Sequence, residues 1–403
     1  MLAVNRHLSG TVALQQDSAA AGVWNDAGQR VCMCGPANFP ATTDPAFIAF
    51  LPTGNTVERG SRLRTVQEMV NFWNLPSARL CFALLAAMFG AAAIGISLAS
   101  FAVKTDELHD PLTCLAGGLV MMGLSAFPVL RLKDDNTLAA RILKAVFGRT
   151  LDLAAVLTFV PACGLAAGLL SYLAMSAGMP MQDALYASID KALGFDWLAF
   201  LSFVNARAWI GDLFIWSYGH WAFQLPVVIL LFVLQARQRE LWDLLALLTI
   251  GAICSIVFCG LMPAVAAYTY YGPNGELYDV LARKVPAVGT GFLKDLLALH
   301  SGTFKVFDWT KVTGIVTFPS FHAIAAMTIA YALRNDRLLF VPAAVFNGVV
   351  VVSAVPVGGH YFVDLIGATV MVFLAVSCVA KVNGEAWPWS RLRSMMPALA
   401  AHI

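Results

Sequence analysis

The sequence predicts an all-α polytopic membrane protein with about eight transmembrane helices. Hydrophobic residues make up 59% of the 403 residues and charged residues 12%, a composition that favours lipid over water. Most of the apolar segments that follow residue 77 approach the roughly 20 residues that a helix needs to cross a bilayer core. Lys and Arg collect on alternate connections, as the positive-inside rule expects. The formal net charge of +2 gives no reason to expect a nucleic-acid partner.

The N-terminal region differs from the rest of the chain. Residues 1–60 mix Gly, Pro, Thr, Asn and Asp without a sustained period, which predicts an extension of loop or disorder. We expect no signal peptide, because no basic region precedes an apolar core and a small-residue cleavage site. Residues 61–76 place apolar side chains three and four apart, which predicts an interfacial amphipathic helix. Those side chains are Leu63, Val66, Met69, Val70 and Trp73.

Eight apolar segments make up the predicted membrane region. They run over about 80–103, 112–130, 153–176, 209–235, 241–262, 318–335, 337–355 and 361–380. Residues 381–403 are assigned to a cytoplasmic tail.

The distribution of Lys and Arg predicts how these segments are oriented. Basic residues flank the start of the first segment and fill the short connections after the second, fourth and sixth segments, and the tail. Both termini are therefore predicted to be cytoplasmic, and the Ala-rich composition favours a bacterial inner membrane. With eight spans, His322 and His360 both emerge on the opposite, periplasmic face.

A long connection over about 263–317 separates the fifth and sixth segments. It contains two short amphipathic pieces. One includes Leu277, Val280 and Leu281, and the other includes Phe292, Leu293, Leu296 and Leu297. Because loops of this length are rarely idle, we interpret the pieces as interfacial helices near a site. They are equally compatible with a lid or guide for a lipid and with simple membrane anchors.

Two motifs place ionisable residues at the mouths of membrane helices, where such residues are costly and usually functional. The first is Phe318-Pro319-Ser320-Phe321-His322, in which a helix N-terminus offers N–H groups to an anion such as phosphate. The second runs from Gly358 to Asp364, and its His360 and Asp364 are four apart on one helix face. An Asp that accepts from one ring nitrogen leaves the other free as a nucleophile or base.

Together these groups suit phosphoryl transfer through a phosphohistidine, with one histidine attacking phosphorus and the other protonating the leaving oxygen. Each histidine alone is also compatible with satisfying backbone carbonyls or lying in the wet interface. Two His and one Asp could hold zinc or iron, but no metal-site spacing supports this. Cys32 and Cys34 form a lone C-x-C without a second ligand pair. We therefore predict no metal and no cofactor.

The motifs resemble the type 2 phosphatidic acid phosphatase superfamily, and most closely its inositolphosphotransferase branch, which includes the inositol phosphorylceramide synthases. The family's P-S-G-H motif is matched by Pro319, Ser320 and His322, with Phe321 in place of Gly. Its S-R-x5-H-x3-D motif is matched by Ser353, His360 and Asp364, with Ala354 in place of Arg. In its K-x6-R-P motif, aligned on Pro263, Ser255 and Met262 replace the two cations.

The resemblance implies a phosphatase-like six-helix core over 148–380, made of the last six segments, with the first two as additional transmembrane helices within 77–147. By the same resemblance, His360 would be the nucleophile, Asp364 its orienting partner, His322 the general acid and Ser320 part of the phosphate cradle, and no metal would be needed. Gly359, next to Gly358, permits close approach of the backbone to the substrate. Lys311, Lys305 and Arg207, all on the predicted active side, are candidates to replace the missing cations, although each also fits a snorkelling role at the interface.

The predicted function is a membrane enzyme that transfers or hydrolyses a phosphoryl or phospho-head group of a lipid, and the motif resemblance favours transfer. The substrate is expected to be a phospholipid or a prenyl phosphate, in contact with membrane lipids. A lipid phosphate phosphatase is the first alternative, and a non-catalytic lipid-binding or transport protein is the second. The sequence sets no oligomeric state.

Overall fold

The computed structural model describes residues 23–24, 30–31, 72–273, 281, 284 and 291–385. The chain divides into two compact units, 1–62 and 63–403. In the first unit, the described residues form two short antiparallel strands, β1 (Val23–Trp24) and β2 (Arg30–Val31). Most of the predicted extension, most of the amphipathic helix over 61–76 and the tail over 386–403 lie outside the described residues. The domain boundaries stay predictions.

The second unit is built of α-helices, which confirms the predicted fold class. The membrane helices are α1 (Pro76–Leu98), α2 (His109–Arg131), α3 (Leu138–Met175), α6 (Ala208–His220), α7 (Gln224–Leu234), α8 (Gln238–Leu261), α11 (Phe321–Ala332), α12 (Arg337–Ser353) and α13 (Phe362–Val382). The connecting helices are α4 (Asp183–Ala192), α5 (Trp197–Asn205), α9 (Ala267–Tyr271) and α10 (Leu293–His300).

Each predicted apolar segment is mostly helical in the structure. Among the described residues, six spans are long and apolar enough to cross a membrane, with α6 and α7 counted together as one. Helices α11 and α12 are shorter and equally apolar. The protein is therefore an integral membrane protein whose helices match the eight predicted segments.

Helix α8 lies at the centre of the bundle. It packs against α1, α3, α7, α11 and α13, and Trp242 and Leu244 near its start are fully buried. Trp242 stacks on Phe72 at a ring-centroid distance of 5.2 Å, in a cluster that also contains Phe159 of α3. A helix that is apolar all round suits this position, because it meets protein on most sides.

The fourth predicted segment is interrupted. A 3-10 turn at Trp221–Phe223 separates α6 from α7, where the sequence predicted one continuous helix over 209–235. Pro226 explains the break, because proline has no N–H to donate to Ala222 and its ring crowds the preceding turn. Gln224 then pairs with the buried Asn347 of α12 through two hydrogen bonds of 3.0 and 2.8 Å, which fixes the turn against the bundle.

The long connection covers one end of the bundle. Its second predicted amphipathic piece forms α10, with Leu296 and Leu299 buried. The first piece lies outside the described residues except for Leu281, which is buried. Strand β4 (Val306–Phe307) pairs in parallel with β3 (Ala102–Val103), which follows α1. Whether these pieces act as a lid or as anchors stays a prediction.

Helices α8 and α11 approach each other closely at Gly251. A Cβ at this position would lie 2.5 Å from Cγ2 of Ile324, so a larger side chain must push α11 away. We expect Gly251→Val to lower stability by about 1–3 kcal/mol, measured as thermal unfolding in detergent. Gly90→Val is the matched control, because a Cβ at Gly90 meets nothing within 4 Å. Equal unfolding midpoints for the two variants would contradict the close packing.

Candidate active site

The start of α13 holds a buried histidine against a buried carboxylate. Nδ1 of His360 lies 2.9 Å from Oδ2 of Asp364, and the two residues are 4% and 0% exposed. The same oxygen accepts the N–H of Tyr361 at 3.0 Å, so the carboxylate is fixed by its own helix turn. A proton on Nδ1 leaves Nε2 of His360 as the ring nitrogen available to a substrate.

Two glycines let the chain turn tightly before this histidine. Gly359 has φ 75°, in the left-handed region that glycine enters without strain, and its carbonyl accepts the N–H of Ala267 at 2.8 Å. A Cβ at Gly358 would lie 2.7 Å from both the Ala354 carbonyl oxygen and the Tyr218 hydroxyl. Any side chain at 358 would therefore displace groups around His360.

The N-terminus of α13 is filled by a carboxylate from another helix. The two oxygens of Asp190 in α4 accept the N–H groups of Phe362 and Val363 at 2.9 and 2.8 Å. Burial raises the pKa of the Asp190 carboxyl above its usual value, against the lowering effect of these two hydrogen bonds. Because the N–H groups are occupied, this helix end is not an open anion site.

Further residues of α4 and α5 surround the histidine motif. Asp183 accepts the Tyr361 hydroxyl at 2.9 Å and the N–H of Val265 at 3.0 Å; burial raises its pKa. Trp197 donates its indole N–H to the His360 carbonyl at 3.1 Å. These contacts hold both the backbone and the flanking residue of His360 in one position.

The start of α11 forms the second half of the site. Ser320 caps the helix by accepting the N–H of Ala323 at 3.4 Å, and its own N–H donates to the Asp364 carbonyl at 3.3 Å. The N–H groups of Phe321 and His322 donate to no acceptor in the part of the chain that the structure describes. This is the N-terminus at which the sequence predicted an anion cradle.

His322 is held by two aromatic side chains. Its Nδ1 lies 3.1 Å from the Tyr218 hydroxyl, and the two rings stack with centroids 4.5 Å apart. Trp221 meets His322 edge-on at 5.2 Å. A tyrosine hydroxyl can accept from Nδ1–H, which leaves Nε2 of His322 free to exchange a proton.

Both histidines line one cavity of about 430 Å³. Its walls come mainly from apolar side chains of α3, α8 and α11 and from the extended segment 312–317. No Lys or Arg among the described residues lines it. The arrangement can therefore orient two imidazoles toward a ligand in a largely apolar space.

Comparison with known protein families identifies the histidine-bearing part of the chain. Residues 185–378 match the PAP2 superfamily. This confirms the predicted superfamily for that region, and PAP2 proteins are usually phosphatase-type enzymes. The match contains His322, His360 and Asp364 and does not distinguish the inositolphosphotransferase branch. Searches of curated proteins and of solved structures found no match.

The structure brings some of the predicted site residues of the PAP2 region together and leaves others apart. His322 and His360 line the cavity, with Asp364 directly behind His360. Ser320 and Gly359 neighbour the histidines in the chain but are not part of the cavity wall, which Phe321 and Gly358 form instead.

None of the three predicted cations lines the cavity. Arg207 is exposed and stacks 4.0 Å over the ring of Phe203. Lys311 is exposed and pairs with Asp308 at 3.2 Å. Lys305 is exposed beside β4, where its carbonyl accepts the N–H of Ala102. As placed here, none of them supplies positive charge to the histidines.

The His, Cys, Asp and Glu side chains of the described residues give no support for a metal site. Among the described residues, no group of three or more His, Cys, Asp or Glu is arranged to hold an ion. Asp364 presents one oxygen to His360, and His322 meets an aromatic hydroxyl. Cys32 and Cys34 lie outside the described residues.

Several residues of the candidate site are missing from the sequence-based prediction. Tyr218 and Trp221 belong to the run Trp216-Ser217-Tyr218-Gly219-His220-Trp221, a polar aromatic cluster inside an apolar segment that could have marked the site. Asp183 and Asp190 are seven apart, hence on one face of α4. That spacing was a usable signal, but nothing in the sequence shows which helix end they cap.

Removal of the Asp190 carboxylate tests how the start of α13 is held. We expect Asp190→Ala to destabilise the protein by about 1–2 kcal/mol, because two N–H groups at the start of α13 lose their acceptor. Thermal unfolding in detergent measures this effect. The neighbouring Lys191→Ala, at an exposed position, is the control and should leave the midpoint unchanged. A midpoint for Asp190→Ala equal to that of the control would exclude a capping role.

Proposed function

We propose that this protein is a membrane enzyme that transfers a phospho-head group of a lipid through a phosphohistidine intermediate. The observation that carries the proposal is the pair of histidines on one cavity, with Nδ1 of His360 held by the buried Asp364 at 2.9 Å. The match to the PAP2 superfamily supports lipid phosphoryl chemistry.

In the first step, Nε2 of His360 attacks phosphorus. A P–N bond forms while the P–O bond to the leaving alcohol breaks. The negative charge of the bound phosphate favours uptake of a second proton by His322, which then gives its Nε2 proton to the leaving oxygen while Tyr218 keeps accepting from Nδ1–H. Asp364 stabilises the positive charge that develops on His360. The N–H groups of Phe321 and His322, which have no acceptor among the described residues, can donate hydrogen bonds to the phosphate at this helix end.

In the second step, an acceptor hydroxyl attacks the phosphohistidine. Neutral His322 takes the hydroxyl proton at Nε2, the P–N bond breaks, and His360 returns to its starting state. An alcohol acceptor completes a transfer, whereas water completes a hydrolysis. The two reactions share every residue named so far and differ only in the molecule that enters the cavity.

The charge of the cavity favours a phosphodiester substrate. A phosphate diester has one negative charge, which a protonated His322 balances, whereas a monoester dianion leaves one charge uncompensated. No Lys or Arg of the described chain lines the cavity to supply the difference, and an unpaired charge in an apolar site is expensive. This supports the transferase, in which a phospholipid donates its head group.

Two alternatives follow from the same site. Hydrolysis of a phosphatidate or prenyl phosphate is favoured by the superfamily, whose members are usually phosphatase-type enzymes. A non-catalytic lipid-binding or transport protein is compatible with the missing cations. Under the proposal, the site faces the periplasm of a bacterial inner membrane and both termini are cytoplasmic, as the distribution of Lys and Arg predicts.

Substitution of His360 tests the proposed chemistry. We expect His360→Ala to lose at least about 10³-fold in turnover, because no nucleophile remains, and His322→Ala to lose about 10²–10⁴-fold, as expected for a general acid. His109→Ala is the control, because His109 lies exposed on α2. The measurement is product release by purified protein supplied with phospholipids or prenyl phosphates.

The proposal is wrong if His360→Ala turns over as fast as the parent protein. Lipid mass spectrometry of a deletion strain separates the remaining alternatives. A missing head-group class supports transfer, and an accumulating phospholipid or prenyl phosphate supports hydrolysis. Lipid binding without any phosphate or head-group release, in the parent and in His322→Ala alike, supports the non-catalytic protein.

Tyr218 is proposed as the residue that positions His322. We expect Tyr218→Phe to lower kcat by about tenfold with little change in KM, because His322 loses the acceptor for Nδ1–H but the cavity keeps its shape. Tyr270→Phe, at an exposed position, is the control. An unchanged kcat in Tyr218→Phe would remove Tyr218 from the mechanism.

A further inference from the structure

The cavity reaches far beyond the histidines into the bundle. Along α3 its wall extends from Ser171, near the end that carries the histidines, to Phe159. Twelve residues of helix correspond to about 18 Å, more than half of the roughly 30 Å hydrocarbon core of a bilayer. Leu245 of α8 and Ile329 of α11 line the cavity too and belong to the same buried cluster as Phe159. We name this part, between α3, α8 and α11, the slot.

The wall of the slot is lined mainly by apolar side chains. The hydroxyls in its wall are used locally: Ser171 donates to the Gly168 carbonyl at 2.7 Å, and Thr249 to the Leu245 carbonyl at 2.8 Å. Gly164 lies between the two ends of the α3 wall, and a Cβ there would meet nothing within 4 Å. A polar head group has no partner at this depth, so the occupant is apolar.

We propose that the slot holds one hydrocarbon chain of the lipid on which the site acts, drawn into the bundle and away from the bilayer. The inference rests on the proposed function for the identity of the head group. A cavity of about 150 Å³ accommodates a benzene molecule, so the 430 Å³ of the whole cavity corresponds to roughly seventeen carbons on that scale, part of which lies at the histidines. The slot therefore holds no more than one long chain, and a second chain of a diacyl lipid stays outside it.

The position of the histidines explains why a chain in the slot matters. His360 is nine-tenths buried and lines the same cavity, and its Nε2 has no partner among the described residues. A chain seated between α3 and α8 places its phosphate at the end of the slot where His360 and His322 lie. Helix α3 precedes the PAP2 match, so one wall of the slot is supplied by a part of the chain outside the matched region.

Photolabelling tests the slot directly. The full-length protein is reconstituted in vesicles that contain phosphatidylglycerol with a diazirine near the end of one acyl chain. After irradiation, labelled peptides are identified by mass spectrometry. We expect labels within 159–171 of α3 and 245–256 of α8, which together we name the deep wall. Labels confined to lipid-facing helices, such as the exposed Leu119 and Leu124 of α2, would overturn the proposal.

A matched pair of glycine substitutions sharpens the test. Gly164→Leu fills the middle of the slot and should lower labelling of the deep wall roughly tenfold or more, because overpacking opposes entry of the chain. Gly123→Leu is the control, since Gly123 is also an exposed helical glycine with open space around it but does not line the cavity. Equal labelling of the deep wall in the two variants would overturn the slot.

The same experiment in His360→Ala separates the slot from the chemistry. Chain binding does not need the nucleophile, so deep-wall labelling should match that of the parent protein. Deep-wall labelling in a parent protein that turns over no lipid would leave the slot standing and refute the proposed function. Turnover by the parent protein without deep-wall labelling would refute the slot alone.

Discussion

The hydrogen bond between His360 and Asp364 is the constraint on which the rest of the site depends. Asp364 is fully buried, and a carboxylate without water is tolerated only when it is paired and hydrogen-bonded. His360 and the N–H of Tyr361 are the partners of Oδ2, while the buried Oδ1 has no hydrogen-bond partner among the described residues. The surrounding helices then secure the turn that brings them together: Asp190 caps α13, and Trp197 holds the His360 carbonyl. Contacts from α4, α5 and α13 thus all hold one imidazole in place.

Charge explains the contrast between the two halves of the site. At α13 the N-terminal N–H groups are bonded to aspartates, whereas at α11 the N–H groups of Phe321 and His322 have no acceptor among the described residues. Negative charge on the protein is therefore kept behind His360, and donors are kept at the other histidine. Electrostatic interactions are stronger in such a largely apolar cavity, because little water screens them.

The sequence was sufficient for the membrane helices and for the local part of the site. Apolar length marks a bilayer span directly, and the i, i+4 spacing of His360 and Asp364 defines their contact within one turn. It was insufficient for contacts between distant segments, such as Tyr218 with His322 and Asp190 with Phe362, which depend on helix packing. Charge patterns place Arg207, Lys305 and Lys311 at one end of the bundle but carry no information on their lateral distance from the cavity. The break at Pro226 was visible in the sequence, yet hydropathy alone does not report it.

The hydrogen bond from the Ser320 N–H to the Asp364 carbonyl joins the two motif helices through main-chain atoms. The spacing of the two histidines is consequently tied to a main-chain contact as well as to the side chains of Tyr218 and Trp221 that hold His322. A shift of either motif helix is therefore transmitted to the other through the backbone.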